Sequence, residues 1–185
     1  EDEELLLKQL PHSVEAEQAV LGSMLIDPRC VPEVIDKLRP DDFYLRQNRE
    51  IYETIYSMFN YSLTIDPVTV LENMKQNGFY DENQSRSYML QLMDTTPTAA
   101  NVARYAAIVQ EKSMLRGLNQ AATDIQQMVS EEVGTPAEML ESAEKKIYAL
   151  RKGERGDSLE HIGTTLHKVF DRLTELSQSD SLIPG

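Results

Sequence analysis

The longest regular pattern of apolar residues begins at Val102 and runs past Met128 without a proline. Apolar side chains recur there every three or four residues, which places them on one face of an α-helix. The pattern predicts a helix of about eight turns, about 46 Å long at a rise of about 1.5 Å per residue. The apolar positions are Val102, Tyr105, Ile108, Val109, Leu115, Leu118, Ala122, Ile125, Met128 and Val129.

A turn and a second helix follow the long one. Gly134 suits a helix end, Thr135 offers a hydroxyl N-cap, Pro136 fits the first helical position and Glu138 completes a capping box. Residues 101–153 are therefore predicted to form a helical hairpin. The second helix is only about half as long as the first, so much of the long apolar face needs a cover from elsewhere in this chain or from a second copy. Its own apolar face carries Leu140, Ala143, Ile147 and Leu150.

Shorter amphipathic patterns fill residues 13–100 and predict a compact helical head. Ser13 and Asp66 are placed as N-caps. No sustained alternation of period two is present and glycines are few, so the predicted fold class is all-α. Residues 1–12 are predicted to be a mobile acidic arm. The predicted helices run from Val14 to Ile26, Pro32 to Leu38, Gln47 to Asn60, Pro67 to Gly78, and from Ser85 or Ser87 to Met93.

Residues 154–185 are predicted to be a linker region containing an amphipathic helix at 158–177. The apolar face of that helix needs a docking surface that this chain does not supply, which favours a linker helix. The alternative is a helix that folds back onto the head. The face consists of Leu159, Ile162, Leu166, Phe170 and Leu173.

Net charge and cysteine content narrow the classes of function. The net charge of −13 repels phosphate backbones, so this chain is a poor candidate for binding nucleic acid. A contribution to solubility alone would also explain such acidity. No apolar run approaches about 18 residues, so no membrane span is expected. Cys30 is the single cysteine, which excludes an internal disulfide and fits a reducing, cytoplasmic compartment.

Catalytic and metal-binding patterns are missing from the sequence. It has no glycine-rich loop followed by Lys and Ser or Thr, so no phosphate cradle is predicted. His161 and His167 are six residues apart and fall on different helix faces, while His12 stands alone. Carboxylate pairs such as Glu15 and Glu17 are explained as residues of a helix start. We therefore expect no catalytic residue, no metal site and no cofactor in this chain.

Five stretches together resemble the N-terminal part of the bacterial replicative DNA helicases, the DnaB family. They follow in that family's order, and the overall resemblance spans nearly the whole chain. They are SVEAEQAVLGSMLIDP at 13–28, DFY at 42–44, DPVTV at 66–70, PTAAN at 97–101 and RYAAIVQEK at 104–112.

The resemblance implies that the parent protein is a homohexameric ring that hydrolyses ATP and moves 5′ to 3′ on single-stranded DNA. The chain would be its collar, and ATP, magnesium and single-stranded DNA would be bound by the missing C-terminal domain. Hairpins of neighbouring subunits would pair, building dimers and then the hexamer. The linker helix would dock on the ATPase domain of an adjacent subunit. The primase C-terminal helical domain, and a helicase loader as a further partner, would bind the assembly.

The same resemblance implies two sets of interface residues. The resemblance assigns primase binding to Glu15, Tyr88, Asn119 and Ile125, although Tyr88 and Ile125 would also fit in the core. Two departures put that contact in doubt: Asn119 stands where the family usually has an aliphatic residue, and residues 84–87 replace a Gly-Gly pair. It assigns the subunit contacts of the oligomerisation hairpin to Leu115, Leu118, Ala122, Met128, Leu140, Ile147 and Leu150.

Two other classes of function remain open from the residues alone. One is a free-standing acidic helical scaffold or regulator with no enzymatic parent. The other is a small helical enzyme, which the lack of a catalytic constellation disfavours.

Overall fold

The computed structural model describes residues 9–154 and Arg172. Within 9–154 the chain is entirely helical, with seven α-helices and two short 3-10 helices, which confirms the all-α prediction. The predicted linker face, Leu159, Ile162, Leu166, Phe170 and Leu173, lies outside the described residues, as do the first eight residues of the predicted arm. The helices are α1 (Val14–Ile26), α2 (Val31–Lys37), α3 (Arg46–Asn60), α4 (Pro67–Gln76), α5 (Ser85–Asp94), α6 (Val102–Ser130) and α7 (Pro136–Glu154), with 3-10 turns at Pro28–Cys30 and Pro40–Asp42.

The predicted helix starts are confirmed by their caps. Ser13 Oγ accepts from the Ala16 amide at 3.2 Å, satisfying one of the orphan donors of α1. Asp66 Oδ1 accepts from the Thr69 amide at 2.9 Å, while Thr69 Oγ1 accepts from the Asp66 amide at 3.0 Å. These bonds fix the first residues of both helices at the sequence positions that the caps predicted.

The hairpin turn also has the predicted capping box. The Thr135 amide donates to Glu138 Oε2 at 3.2 Å, and the Glu138 amide donates to Thr135 Oγ1 at 3.3 Å. The long helix ends at Ser130, one residue after the last apolar position Val129, and Glu132 already has a φ of +48°. Gly134, with a φ of +83°, therefore lies inside the turn rather than directly at the helix end.

The chain divides into two compact units, residues 1–120 and 121–185, and the division falls within α6. In the first unit the aromatic rings of Phe43 and Tyr52 are stacked with centroids 4.5 Å apart. The Tyr52 hydroxyl donates to the Leu38 carbonyl at 2.8 Å, so this buried phenol has a partner. Its burial also raises the Tyr52 pKa well above the usual range.

The first unit's core draws on nearly every element before residue 110. The start of α6 contributes as well, although the sequence places it in the hairpin segment. The fully or nearly buried apolar side chains are Ala16, Val20, Leu21, Met24, Leu25, Val31, Val34, Ile35, Leu38, Phe43, Ile51, Tyr52, Ile55, Met58, Val70, Met74, Met89, Leu92, Val102, Ala106 and Val109.

Helices α1 and α5 approach each other closely in this core, at Gly22. A Cβ atom at that position would lie 2.6 Å from the Leu92 carbonyl oxygen and 2.0 Å from Thr96 Oγ1. Both distances are far below van der Waals contact, so only glycine lets the two helices pack at this separation.

One large apolar residue on each of α4 and α5 points outward. Val68 on α4 is 72% exposed and Leu90 on α5 is 52% exposed. In each helix a neighbour one or two positions away, Val70 or Met89, takes the buried place. A ten-residue helix rich in apolar side chains fits more than one orientation, and tertiary packing selects between them.

Candidate subunit and partner interfaces

The second unit presents an apolar face that it does not cover itself. Leu140 is 66% exposed, and Ile147 and Tyr148 are also exposed on α7. On the end of α6 and in the turn, Val129 and Val133 are exposed as well. Side chains of this size are usually buried, so a run of them on one hairpin is a candidate interaction surface.

Few apolar side chains are buried between the two helices of the hairpin. Ala121 is buried, while Ile125, Met128 and Leu150 are only half-buried. Asp124 and Lys146 face each other across the hairpin with 3.5 Å between Oδ2 and Nζ, which defines the antiparallel register of α6 and α7. Two helices bury only the stripe between them, and the remaining apolar side chains stay in solvent.

The predicted oligomerisation residues therefore fall into two groups. Met128 and Leu150 are half-buried within the hairpin. The exposed group is larger and is the part of the set available to a second chain. It comprises Leu115 and Leu118 in the first unit, and Ala122, Leu140 and Ile147 in the second.

A buried carboxylate organises the head surface beside α3. Glu17 is 1% exposed, and its oxygens accept from the backbone amides of Tyr44 at 3.0 Å and Leu45 at 3.3 Å. It also accepts from Asn48 Nδ2 at 3.1 Å. Glu17 thus caps the two backbone amides that lead into α3 and lies beside the start of that helix, where the dipole favours a negative charge. Sequence reasoning treated Glu17 as a residue of the α1 start and missed this role, because its partners are about 30 residues away along the chain.

Tyr88 is held by the same network. Its hydroxyl donates to Asn48 Oδ1, and Gln18 Nε2 donates to the hydroxyl oxygen at 3.4 Å. The ring is half-buried and lines an open groove of about 570 Å³ between the start of α3 and the loop before α5. Tyr88 is therefore neither fully core nor freely exposed, and its orientation is fixed by α1 and α3.

Glu15 is exposed on the first turn of α1, two residues before the buried Glu17. With Gln18 and Tyr105 it lines a groove of about 240 Å³. Since Gln18 also bonds to Tyr88, the structure brings the surroundings of Glu15 and Tyr88 together on one part of the head.

The other two predicted primase contacts lie on α6. Asn119 is exposed within the first unit, and Ile125 is half-buried within the second. Their proposed role stays a prediction, as do those of Glu15 and Tyr88.

Arg116 attaches the middle of α6 to the head. Its guanidinium donates to the carbonyl oxygens of Pro11 at 2.8 Å and Asp42 at 2.7 Å, and it lies 5.3 Å from the centre of the Tyr44 ring. The Tyr44 ring also stacks on the His12 ring, with the centroids 4.2 Å apart. Burial lowers the Arg116 pKa, while the charges of nearby carboxylates act in the opposite direction.

Within residues 9–154, no three His, Cys, Asp or Glu side chains come together as a candidate metal site. Burial raises the pKa of the Cys30 thiol to about 11, which keeps it protonated near neutral pH. None of the helices in that range combines the length and apolar character needed to cross a membrane.

Comparison with known proteins gives consistent matches. Residues 9–111 match the family described as DnaB-like helicase N terminal domain. The chain is 33% identical over 175 residues to the replicative DNA helicase DnaB of Geobacillus stearothermophilus, covering 95% of this chain and 38% of that protein. It is 31% identical over 173 residues to the replicative DNA helicase DnaB of Pasteurella multocida, covering 92% of this chain and 37% of that protein.

A solved structure shares the fold. The crystal structure of the N-terminal domain of DnaB helicase from Mycobacterium tuberculosis matches with a TM-score of 0.71 and 35% identity, covering 76% of this chain and 99% of that one. The present chain spans about 37–38% of the length of the two helicases above. The family match covers more than half of the chain and agrees with the all-helical architecture. The chain therefore belongs to the DnaB-like helicase N-terminal domain family.

Proposed function

We propose that this chain is the collar of a hexameric replicative DNA helicase in the bacterial cytoplasm. In this role it assembles subunits through the hairpin and receives the C-terminal helical domain of the primase. The parent protein would unwind DNA with ATP and magnesium through its C-terminal portion, where single-stranded DNA would also be bound. The linker face at 159–173 would dock on that portion of an adjacent subunit, and a helicase loader would be a further partner.

The observation that carries the assembly role is the exposed apolar face of the hairpin. Leu140, Ile147 and Tyr148 expose large apolar side chains on a helix pair that cannot cover them. Removing apolar surface from water contributes about 25 cal/mol per Å², so a second hairpin packed there is favourable. The same face would be a liability in a protein that stayed monomeric.

Native mass spectrometry of the double variant Leu140→Glu, Ile147→Glu tests assembly. We expect loss of dimers and larger species, because two charges would be buried at the contact. The matched control is Tyr61→Glu, which charges an exposed aromatic of the head. Equal assembly of all three proteins would contradict the hairpin role and favour a scaffold that works as a single chain.

The primase role is supported by the fixed Tyr88 ring and the exposed Glu15 beside it. Titration with the primase C-terminal helical domain tests it directly. We expect Tyr88→Ala and Glu15→Ala each to weaken binding by about tenfold, since interface contacts of this kind are each worth about 1–2 kcal/mol. Glu53→Ala, an exposed carboxylate on α3, is the control. Unchanged affinity in both variants would place the primase contact elsewhere.

No step of ATP hydrolysis is assigned to these residues. The sequence has no glycine-rich loop ending in Lys and Ser or Thr, so it offers no cradle for the nucleotide phosphates. The chain's part is to hold subunits and partners in place.

A further inference from the structure

A second apolar surface lies on the head, between α4 and α5. The two helices enclose an open groove of about 440 Å³. Leu71 and Met93 form part of its lining, and the strongly exposed Val68 and Leu90 belong to the same lining. The two outward-pointing apolar residues of these helices therefore share one surface, which is a reason for each to be apolar.

The groove has the length of a short helical segment. On α4 its lining runs from Val68 to Lys75, and on α5 it runs from Arg86 to Met93. Each stretch is about two helical turns, or about 10 Å at a rise of about 1.5 Å per residue. A third helix of about two turns fits along a groove of this length between two helices.

The walls of the groove offer side chains rather than free backbone groups. Residues within α4 and α5 use their amides and carbonyls in hydrogen bonds along the helix. An extended peptide laid on this apolar surface would leave its own backbone groups unpaired, whereas a helix pairs them internally. The groove therefore favours an amphipathic helix as its occupant.

The end of the groove beside the loop of residues 77–84 is cationic. Lys75 and Arg86 lie within two residues of that loop, and Lys75 Nζ is 4.5 Å from the centre of the Tyr80 ring. Neither cation forms an ion pair with another residue of 9–154. Glu72 is the one acidic residue of the lining, which thus carries one net positive charge in a chain whose net charge is −13. Carboxylates on an incoming helix would complement this end.

The same charges argue against a second copy of the groove as the occupant. Two such grooves face to face would bring four cations together with only two carboxylates, and like charges placed side by side disfavour association. The acidic partner is therefore a different segment.

We propose that the groove between α4 and α5 binds an amphipathic helix of another protein, with apolar residues over about two turns and Asp or Glu at the end that meets Lys75 and Arg86. The proposal does not depend on the helicase assignment. It adds a surface separate from the predicted primase contacts, since neither Glu15 nor Tyr88 lines this groove.

Fluorescence anisotropy with the whole chain tests this, using two labelled peptides of about 16 residues as probes. Both peptides have leucines at helical spacing, and one has glutamates at the positions where the other has lysines. We expect the glutamate peptide to bind at least about tenfold more tightly, because its carboxylates meet the two cations. The net charge of the chain, −13, favours the opposite order, so this preference reports the groove itself.

Three variants locate the binding. Leu90→Asp should weaken binding of the glutamate peptide at least about tenfold, because it places a carboxylate in the apolar lining. Tyr61→Asp adds the same charge at an exposed head residue outside the groove and should leave the affinity unchanged. Lys75→Glu combined with Arg86→Glu should reverse the preference between the peptides. Circular dichroism checks that each variant remains helical.

Several outcomes would overturn the proposal. One is tighter binding of the lysine peptide by the unaltered chain, and another is equal binding of the glutamate peptide by the Leu90→Asp and Tyr61→Asp variants. A second copy as occupant would appear as loss of self-association in Leu90→Asp by light scattering, together with no binding of the glutamate peptide, and would overturn it as well.

Discussion

The head and the hairpin are both built from amphipathic helices, but only the head buries most of its apolar faces. In the head, the apolar faces of five helices and the start of α6 cover one another, and large side chains such as Leu21 and Tyr52 are fully buried. Among the described side chains of residues 121–151, Ala121 is the only buried apolar one. The head therefore has an enclosed hydrophobic core, whereas most apolar side chains of the hairpin remain accessible to solvent.

The difference follows from how many helices share each face. Several helices at varied angles can enclose a common interior, whereas two antiparallel helices bury only the strip between them. We therefore expect the head to be stable by itself and the hairpin to gain stability when another surface packs on it. The following predictions probe that contrast.

The largest expected effect on stability is a cavity in the head. Leu21→Ala should lower the free energy of unfolding by about 3 kcal/mol, because the side chain is fully buried and the cavity only partly collapses. Leu140→Ala on the hairpin should change it by less than about 0.5 kcal/mol at monomeric concentrations. Urea denaturation measures both. Similar losses would mean that the hairpin face is covered within a single chain.

The buried carboxylate offers a matched pair within one helix turn. Glu17→Ala should cost about 3 kcal/mol, because it leaves two backbone amides and the Asn48 side chain without their acceptor. Glu15→Ala should cost less than about 0.5 kcal/mol, since Glu15 is exposed. Thermal unfolding of the two variants separates a structural carboxylate from a surface one. Equal melting temperatures would refute the capping role of Glu17.

The close approach of α1 and α5 predicts an intermediate effect. Gly22→Ala should destabilise the head by about 2 kcal/mol, because the new methyl group meets a backbone carbonyl that cannot rotate away. Removing the Thr96 side chain in the same protein should not restore stability, because the Leu92 carbonyl remains 2.6 Å from the Cβ position. Full rescue by Thr96→Ala would show that the side chain alone limits the approach.

A further prediction concerns Cys30 and pH. A pKa of about 11 instead of 9.0 leaves about 100-fold less thiolate at pH 8, so alkylation by iodoacetamide should be slower by about that factor. Since the folded-state pKa is raised, its contribution to stability is complete below the unfolded value and declines as pH rises from about 9 towards 11. Leu140→Cys in a Cys30→Ala background should react at the ordinary rate. Equal reactivity of the two thiols would contradict the burial of Cys30.

Local signals in the sequence predicted much of the fold. Ser13, Asp66 and the Thr135–Glu138 pair each bond within three residues, so the helix starts could be located from neighbouring residues alone. Exposure along the long stripe was also predictable, because a shorter helix cannot fully cover it, and Leu115, Leu118 and Val129 are exposed there.

Long-range partners could not be predicted in this way. Glu17 and Arg116 look like ordinary helix charges, yet they bond to backbone groups 27 to 105 residues away. The outward turn of Val68 and Leu90 depends on which face of a short helix the neighbouring helices select. No local spacing contains that information.

The most direct test of the account is the solution mass of this chain by light scattering over a wide concentration range. The open hairpin face predicts that the 21.0 kDa chain self-associates, with the mass rising to that of a dimer or a larger multiple as concentration increases. A mass that stays at 21.0 kDa up to millimolar concentration would contradict the claim that the hairpin is an assembly surface.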